Sequence, residues 1–223
     1  MNAYLPNKFL QVFLHNQTGT RLNAFLQLLK KKSYTPCVGC DLLDTNDGLL
    51  VLLTRRKVCP FGAVELDHVK AHVKAGRPLL HMSNHPPLTR NDSQLGKVFG
   101  YSFKGEVLKP SPTAPCAPQP FDVPSCPNSS VFAAVGGTAR FAICNGCEVR
   151  GTEAFEVIAR YGNSSTSTAP FAIARNSAPN AGKIVAMGDS GLVGEPIRCN
   201  PGPGLKAGDN RLLMGCILSW LRS

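Results

Sequence analysis

Short, almost wholly apolar segments alternate with segments of helical periodicity along the first half of the chain. Residues 9–14 (FLQVFL) predict a strand that is buried on both faces, because half-exposed strands alternate apolar and polar positions. Residues 20–32 predict a helix, since apolar side chains recur there at helical spacing, Thr20 can cap the start and lysines crowd the end. Residues 48–54 (GLLVLLT) predict a second buried strand.

A second helix is predicted after that strand, over residues 61–76. We expect Val64, Val69 and Val73 to share its buried side, and Gly76 stands where a helix C-terminal cap belongs. This order of segments therefore gives a second strand–helix unit.

A third unit follows directly. Residues 77–87 (RPLLHMSNHPP) predict a strand that ends in a polar turn, and residues 91–100 predict a short helix that Asn91 caps and Gly100 ends. Strands that alternate with helices favour an α/β fold with a mostly parallel sheet and helices on both faces.

A proline-rich segment over residues 109–128 interrupts this alternation. Proline excludes a helix or a central strand there, so we interpret the segment as a surface excursion that a Cys116–Cys126 disulfide could staple. Strand-like segments follow, and the chain closes with a buried strand (KIVAMG) and an amphipathic helix that Asp209 can cap. We expect one domain over residues 1–223.

Composition and charge narrow the class of protein. The 223 residues are 43% hydrophobic and 17% charged, which favours a folded globule. The formal net charge is +10, but the densest basic runs, residues 30–32 and 54–57, are typical of a solvated helix end and a loop. Aromatic residues do not interleave with them, so we do not expect a nucleic-acid partner.

Targeting signals are not evident in the sequence. No apolar run reaches the roughly 20 residues that span a bilayer, and the first residues lack the pattern of a secretory signal peptide. We therefore expect no membrane span and, by default, a cytoplasmic location.

The nine cysteines are an odd number, so at least one thiol of a monomer stays unpaired. Two C-x-x-C pairs, at residues 37–40 and 144–147, could form a zinc site only if the fold unites them across a long interval. We favour buried thiols or local disulfides instead. We predict no metal and no cofactor.

The motif Gly-Asp-Ser-Gly at residues 188–191 follows the last apolar strand. A chymotrypsin-like protease is excluded, because Leu192 replaces the second glycine and strand–helix alternation contradicts a β-barrel. A Gly-Asp-Ser-Leu type esterase is a better rival, but the chain has no histidine after His85. Ser190 as a nucleophile is therefore an alternative that lacks an evident base.

Three collinear segments resemble an uncharacterised bacterial branch of the class I glutamine amidotransferase-like superfamily. They are VELDHVKAHVKAGRPLLHMSNHPPLTRNDSQLGKVFGYSF, GKIVAMGDSGLV with GDNRLLMGCILSWL, and VFLHNQTGTRLNAFLQLLKKKSY. The resemblance implies a three-layer, flavodoxin-like fold. The superfamily's Gly-x-Cys-x-Gly nucleophile elbow is absent, and Asn84 stands where that branch has an acid before the histidine. Fold alone therefore does not fix the activity.

The ends of three predicted parallel strands carry polar residues that we expect to meet at one edge of the sheet. The candidate ligand-binding residues are His15, Asn16 and Asn84, and the candidate catalytic residues are His85, Asp189 and Ser190. In this hypothesis His85 moves a proton and Asp189 orients an imidazole. The competing interpretation is that Asp189 and Ser190 only cap a turn, while Asn84 and His85 start the loop at Pro86.

The sequence thus predicts a domain that binds a small polar ligand, a carbohydrate or an amide, with hydrolysis as a further option. One alternative is a non-catalytic protein-interaction scaffold. Another is a serine esterase-like hydrolase that uses Ser190.

Overall fold

The computed structural model describes residues 11–15, 22–38, 48–54, 60–104, 121–135, 137, 139–143, 146–161, 169–178, 181–194 and 204–223. The strands are β1 (Gln11–His15), β2 (Thr35–Val38), β3 (Leu49–Leu53), β4 (Leu79–Met82), β5 (Tyr101–Phe103), β6 (Phe121–Pro124), β7 (Arg140–Ile143), β8 (Val149–Gly151), β9 (Glu156–Arg160), β10 (Pro170–Arg175) and β11 (Ile184–Met187). The helices are α1 (Asn23–Lys31), α2 (Ala63–Lys74), α3 (Thr89–Val98) and α4 (Asn210–Arg222).

A seven-stranded mixed sheet forms the centre, in the order β2-β1-β3-β4-β11-β10-β9. Its strands from β2 to β11 are parallel to one another, whereas β10 and β9 are antiparallel to their neighbours. Two small antiparallel pairs, β5 with β8 and β6 with β7, accompany it. The fold is therefore mixed α/β, and the predicted strand–helix alternation is confirmed at that level.

The central strands are buried on both faces, as their apolar sequences predict. Every residue of β3, β4 and β11 is buried. Leu49, Val51 and Leu53 pack in one apolar cluster with residues of α1 and α4. Leu50 and Leu52 face the opposite way and pack in a second cluster with residues of α2 and α3. Because successive strand side chains point to opposite faces, helices cover both sides of the sheet.

Helix α2 differs from the prediction in one position. Val69 and Val73 are buried, but Val64 is 68% exposed, and His72 completes the buried side instead. At about 100° per residue, Val64 lies well around the helix from Val69. The predicted end of the helix is confirmed, since Gly76 has the left-handed φ of 81° that glycine favours.

Helix α3 begins earlier than the sequence indicated. It starts at Thr89, so Asn91 is a buried residue inside the helix and does not cap it. Gly100, with a φ of 86°, follows the helix end as predicted. The cis peptide bond between Pro86 and Pro87 separates β4 from this helix start.

Two further predictions about local contacts are corrected by the structure. Asp209 occupies the N-cap position of α4, but its carboxylate accepts the Arg140 N–H at 2.9 Å rather than capping the helix. Cys126 is a free thiol, so the Cys116–Cys126 disulfide is wrong, while Cys37 is disulfide-bonded. Free thiols also stand at Cys147 and Cys216, which agrees with the expectation that at least one thiol stays unpaired.

Most of the proline-rich segment lies outside the described residues. Its last part forms β6, which pairs only with β7 among the described strands and carries a proline at its final position. Proline has no N–H group to donate, so its place at the end of a strand in a two-stranded pair leaves no hydrogen bond missing in the middle of a sheet. Within the described part of the chain, the helices are all too short or too polar to cross a membrane.

Candidate functional site

The carboxyl ends of β4 and β11 lie side by side, with Met82 paired to Met187. The turns that follow these strands are hydrogen-bonded to each other. Ser83 N–H donates to the Met187 carbonyl at 2.9 Å, and Ser190 N–H donates to the Ser83 carbonyl at 2.6 Å. The Asn84 side-chain amide donates to Ser190 Oγ at 3.3 Å. The structure therefore brings Asn84 and Ser190, two of the predicted site residues, into contact.

Asp189 stabilises the turn after β11. Its Oδ1 accepts the Gly191 N–H at 2.7 Å and so caps the short 3-10 helix Ser190–Leu192. The side chain is almost wholly buried, and burial raises its pKa to about 7, against the opposing effect of the Gly191 hydrogen bond. At Gly188 a Cβ atom would overlap the Cys147 carbonyl, so the motif needs glycine there. These contacts match the turn-capping interpretation of the motif.

His85 lies half-buried at the start of the loop after β4. Its backbone N–H donates to Asn84 Oδ1 at 2.7 Å, and its ring Nδ1 lies 2.7 Å from the Pro86 carbonyl oxygen. Because a carbonyl oxygen only accepts, Nδ1 carries the hydrogen, and in the neutral imidazole Nε2 then holds the lone pair. The orienting contact that we expected from Asp189 thus comes from Pro86.

The remaining predicted residues lie farther along the same edge. His15 is the last residue of β1 and pairs with Leu52 of β3. Strand β3 separates β1 from β4, so His15 ends a strand that is not adjacent to the Asn84 turn. Asn16 lies outside the described residues.

A buried polar cluster beneath this edge was not predicted from the sequence. Asp92 of α3 accepts hydrogen bonds at one carboxylate oxygen from Ser83 Oγ at 2.6 Å and from Thr54 Oγ1 at 2.8 Å. Its other oxygen lies 3.7 Å from His81 Nε2, and His81 Nδ1 is 2.8 Å from the Tyr101 hydroxyl. All five side chains are buried. One carboxylate therefore ties together the ends of β3 and β4.

Part of that cluster could have been found from the sequence. Thr54 and Ser83 are the first polar residues after the apolar runs of β3 and β4, the same signal that pointed to Asn84. Asp92 carries no such signal, because its neighbours in the chain are polar on every side. Only the rotation of α3 about its axis turns this carboxylate inward.

Cys147 also contacts the site but is not placed as a nucleophile. Its thiol is buried and donates to the Gly188 carbonyl at 3.4 Å. Burial is the main cause that raises the pKa of Cys147, and the nearby Asp92 charge raises it further. A thiol held protonated in this way does not act as the attacking thiolate. Among the described residues, no three histidine, cysteine or acidic side chains cluster to hold a metal.

Ser190 is expected to resist labelling by a fluorophosphonate probe. Its side chain is 7% exposed, its Oγ accepts the Asn84 amide, and no imidazole in the described part of the chain hydrogen-bonds to it. Activity-based labelling followed by mass spectrometry measures this, with a Ser190→Ala variant as the control. Labelling of the folded wild type that the variant loses would reinstate the esterase hypothesis.

Comparisons with known proteins identify similar folds but no family. No family model and no curated protein sequence matches the chain. Among solved structures, the mmIFT52 N-terminal domain superposes with a TM-score of 0.73 at 14% identity, covering 95% of this chain and 97% of that one. A ThuA-like protein from Bacteroides uniformis, which has a class I glutamine amidotransferase-like fold, gives 0.62 at 12% identity, covering 99% and 94%.

A larger enzyme also contains a similar fold. The β-galactosidase from Bacillus circulans sp. alkalophilus gives a TM-score of 0.54 at 10% identity. The match covers 96% of this chain but 30% of the enzyme. At such identities these likenesses concern the fold alone.

Proposed function

We propose that this chain is a flavodoxin-like, three-layer domain of the class I glutamine amidotransferase-like superfamily, and that it binds a small polar ligand at the carboxyl edge of β4 and β11. The order of the parallel strands supports the fold assignment, because β2-β1-β3-β4-β11 corresponds to the flavodoxin-like order 2-1-3-4-5. Helices on both faces and the similar ThuA-like structure support it further.

The observation that carries the binding proposal is the pair of polar turns locked together at neighbouring strand ends. Ligands of open α/β sheets bind in the crevice outside the carboxyl ends of the strands. Here the hydrogen bond from Ser190 N–H to Ser83 fixes the two turns, and Asn84 and His85 remain half-buried above the Asp92 cluster. An amide and an imidazole held in this way can donate to and accept from hydroxyl or amide groups.

A carbohydrate or an amide is the ligand class that suits these side chains. The likeness to part of a β-galactosidase supports a sugar, and the superfamily assignment supports an amide such as glutamine. Ser190 is engaged in the turn and Cys147 is buried, which supports binding without a covalent step. If hydrolysis occurs, His85 Nε2 is the group that transfers the proton.

A second candidate function is that of a non-catalytic interaction domain. The hydrogen bonding of Asp189 favours this function. Because its carboxylate caps its own turn, Asp189 has no acid–base role with His85. In that case the carboxyl edge would hold the fold together without taking up a small molecule.

We expect isothermal titration calorimetry with methyl β-galactoside and with L-glutamine to detect binding of one of them. His85→Ala should weaken that binding at least tenfold, about the loss of one good hydrogen bond in affinity. His68→Ala on α2, away from this edge, is the matched control and should bind like the wild type. Absence of binding to both compounds, or unchanged binding by His85→Ala, would count against the proposal.

A further inference from the structure

The edge of the sheet opposite the polar turns collects the C-terminal ends of the helices. The end of α2 is placed there by the bond from Gly182 N–H to the Val73 carbonyl at 2.7 Å, directly before β11 begins. The end of α3 is placed there by Arg175, whose guanidinium donates to the Phe99 carbonyl at 3.4 Å. Arg175 pairs with the first residue of β11, so both helices end at the amino edge of the parallel strands.

Helices α1 and α4 end at the same edge. Lys183, the residue before β11, donates from Nζ to the Trp220 carbonyl at 2.8 Å in the last turn of α4. Arg222 donates to the Lys32 carbonyl at 2.9 Å, which joins the end of α4 to the end of α1. All four described α-helices therefore direct their C-terminal carbonyl groups to one edge.

Basic side chains gather at this edge beside β1 and β11. The basic edge consists of Lys30, Lys31, Lys32, Arg77, Lys183 and Arg222. Among the described residues nearby, the acidic ones are Glu153, which precedes β9, and Glu156, the first residue of β9, and this strand lies at the far end of the sheet. Each helix C-terminus contributes about half a negative charge, so the four ends offset only about two of these positive charges. A net positive surface remains.

We propose that the basic edge docks an acidic segment of a partner protein. Two aromatic rings at this edge each have one of its own cations over a face, Trp220 with Lys183 at 4.7 Å and Tyr34 with Arg222 at 6.0 Å. On these two faces the cations occupy the position where nucleic-acid bases would stack. Lys30 and Lys31 are exposed and remain available for carboxylate groups.

A membrane surface fits these observations less well than an acidic protein segment. The large apolar side chains that the described residues expose are Val38, Val64 and Leu212. Val38 ends β2, whereas Val64 and Leu212 lie in the first turns of α2 and α4. All three thus lie toward the carboxyl edge, so none of the large exposed apolar side chains in the described part of the chain lies beside the basic edge to insert between lipids. Charge complementarity is therefore the main source of affinity at this edge, and an acidic protein segment is the partner that supplies it without stacked bases or inserted apolar side chains.

Fluorescence anisotropy of a labelled poly-glutamate peptide tests this inference, which is independent of the proposed ligand site. We expect the whole chain to bind the peptide at low salt, with binding weakened by added salt. Lys30→Gln with Lys31→Gln should weaken binding about tenfold. Arg90→Gln with Lys206→Gln removes the same charge from the opposite edge, where α3 and α4 begin, and should leave binding unchanged.

Three results would overturn the inference. The first is a lack of poly-glutamate binding at low salt. The second is an equal loss of affinity in both double variants, which would show that only net charge matters. The third is tighter binding to a single-stranded oligonucleotide or to phosphatidylserine vesicles of the same charge density, since either would identify a different partner. Circular dichroism of each variant establishes that it is folded.

Discussion

Asp92→Ala is expected to lower the free energy of unfolding by about 3–5 kcal/mol, because it removes the acceptor of a wholly buried cluster. The Ser83 and Thr54 hydroxyls would lose the oxygen that accepts both of them, and neither could reach water. His81 Nε2 would also lose the carboxylate that it faces at 3.7 Å. Urea unfolding monitored by circular dichroism measures the change.

Asp67→Ala is the matched control for that experiment. Asp67 also lies on a helix, but its side chain is 73% exposed and forms an ion pair with the exposed Lys70 at 3.2 Å. Surface pairs of this type contribute about 0.3–0.5 kcal/mol. If Asp92→Ala lowers the free energy of unfolding by less than about 1 kcal/mol, Asp92 is not the shared acceptor that stabilises this cluster.

Raising the pH from 4 to 7 is expected to reduce the stability of the folded chain through Asp189. Burial raises the pKa of this carboxyl from 3.8 to about 7 in the folded state. Between these values the folded state binds a proton that the unfolded state has released, so stability falls as the pH rises. A difference of about three pKa units corresponds to roughly 4 kcal/mol at most, with the full cost present above pH 7.

Asp189→Asn should flatten this part of the pH profile. The amide oxygen can still accept the Gly191 N–H, and asparagine does not ionise. We expect the variant to be more stable than the wild type at pH 8 and to lose that advantage near pH 4, in urea unfolding at each pH. Parallel profiles for the two proteins would mean that Asp189 does not titrate in this range.

The fold could be predicted from the sequence where local signals agree with the tertiary environment. The apolar runs of β3, β4 and β11 and the glycines after α2 and α3 predicted where these elements lie or end. Strand β2 was missed, because it lies at the edge of the sheet and most of its residues are exposed. An edge strand of this kind has no buried run to mark it.

The candidate site was predicted in part for a related reason. Asn84 and Ser190 meet because β4 and β11 are neighbours, and the sequence indicated the strand ends but not the strand order. His15 was grouped with them, yet β3 separates its strand from β4. The role of Asp92 could not be predicted, because it depends on how α3 is rotated against the sheet.

The most direct test of the proposed site is side-chain NMR of His85 and Asn84 during titration with methyl β-galactoside and L-glutamine. We predict that one compound shifts the His85 Nε2 and Asn84 amide resonances, while the backbone amides of Lys30 and Lys31 at the opposite edge stay unchanged. We also predict that His85 carries its hydrogen on Nδ1 when the ring is neutral. Unchanged His85 and Asn84 resonances with both compounds, or shifts confined to the opposite edge, would contradict a ligand site at the carboxyl edge of β4 and β11.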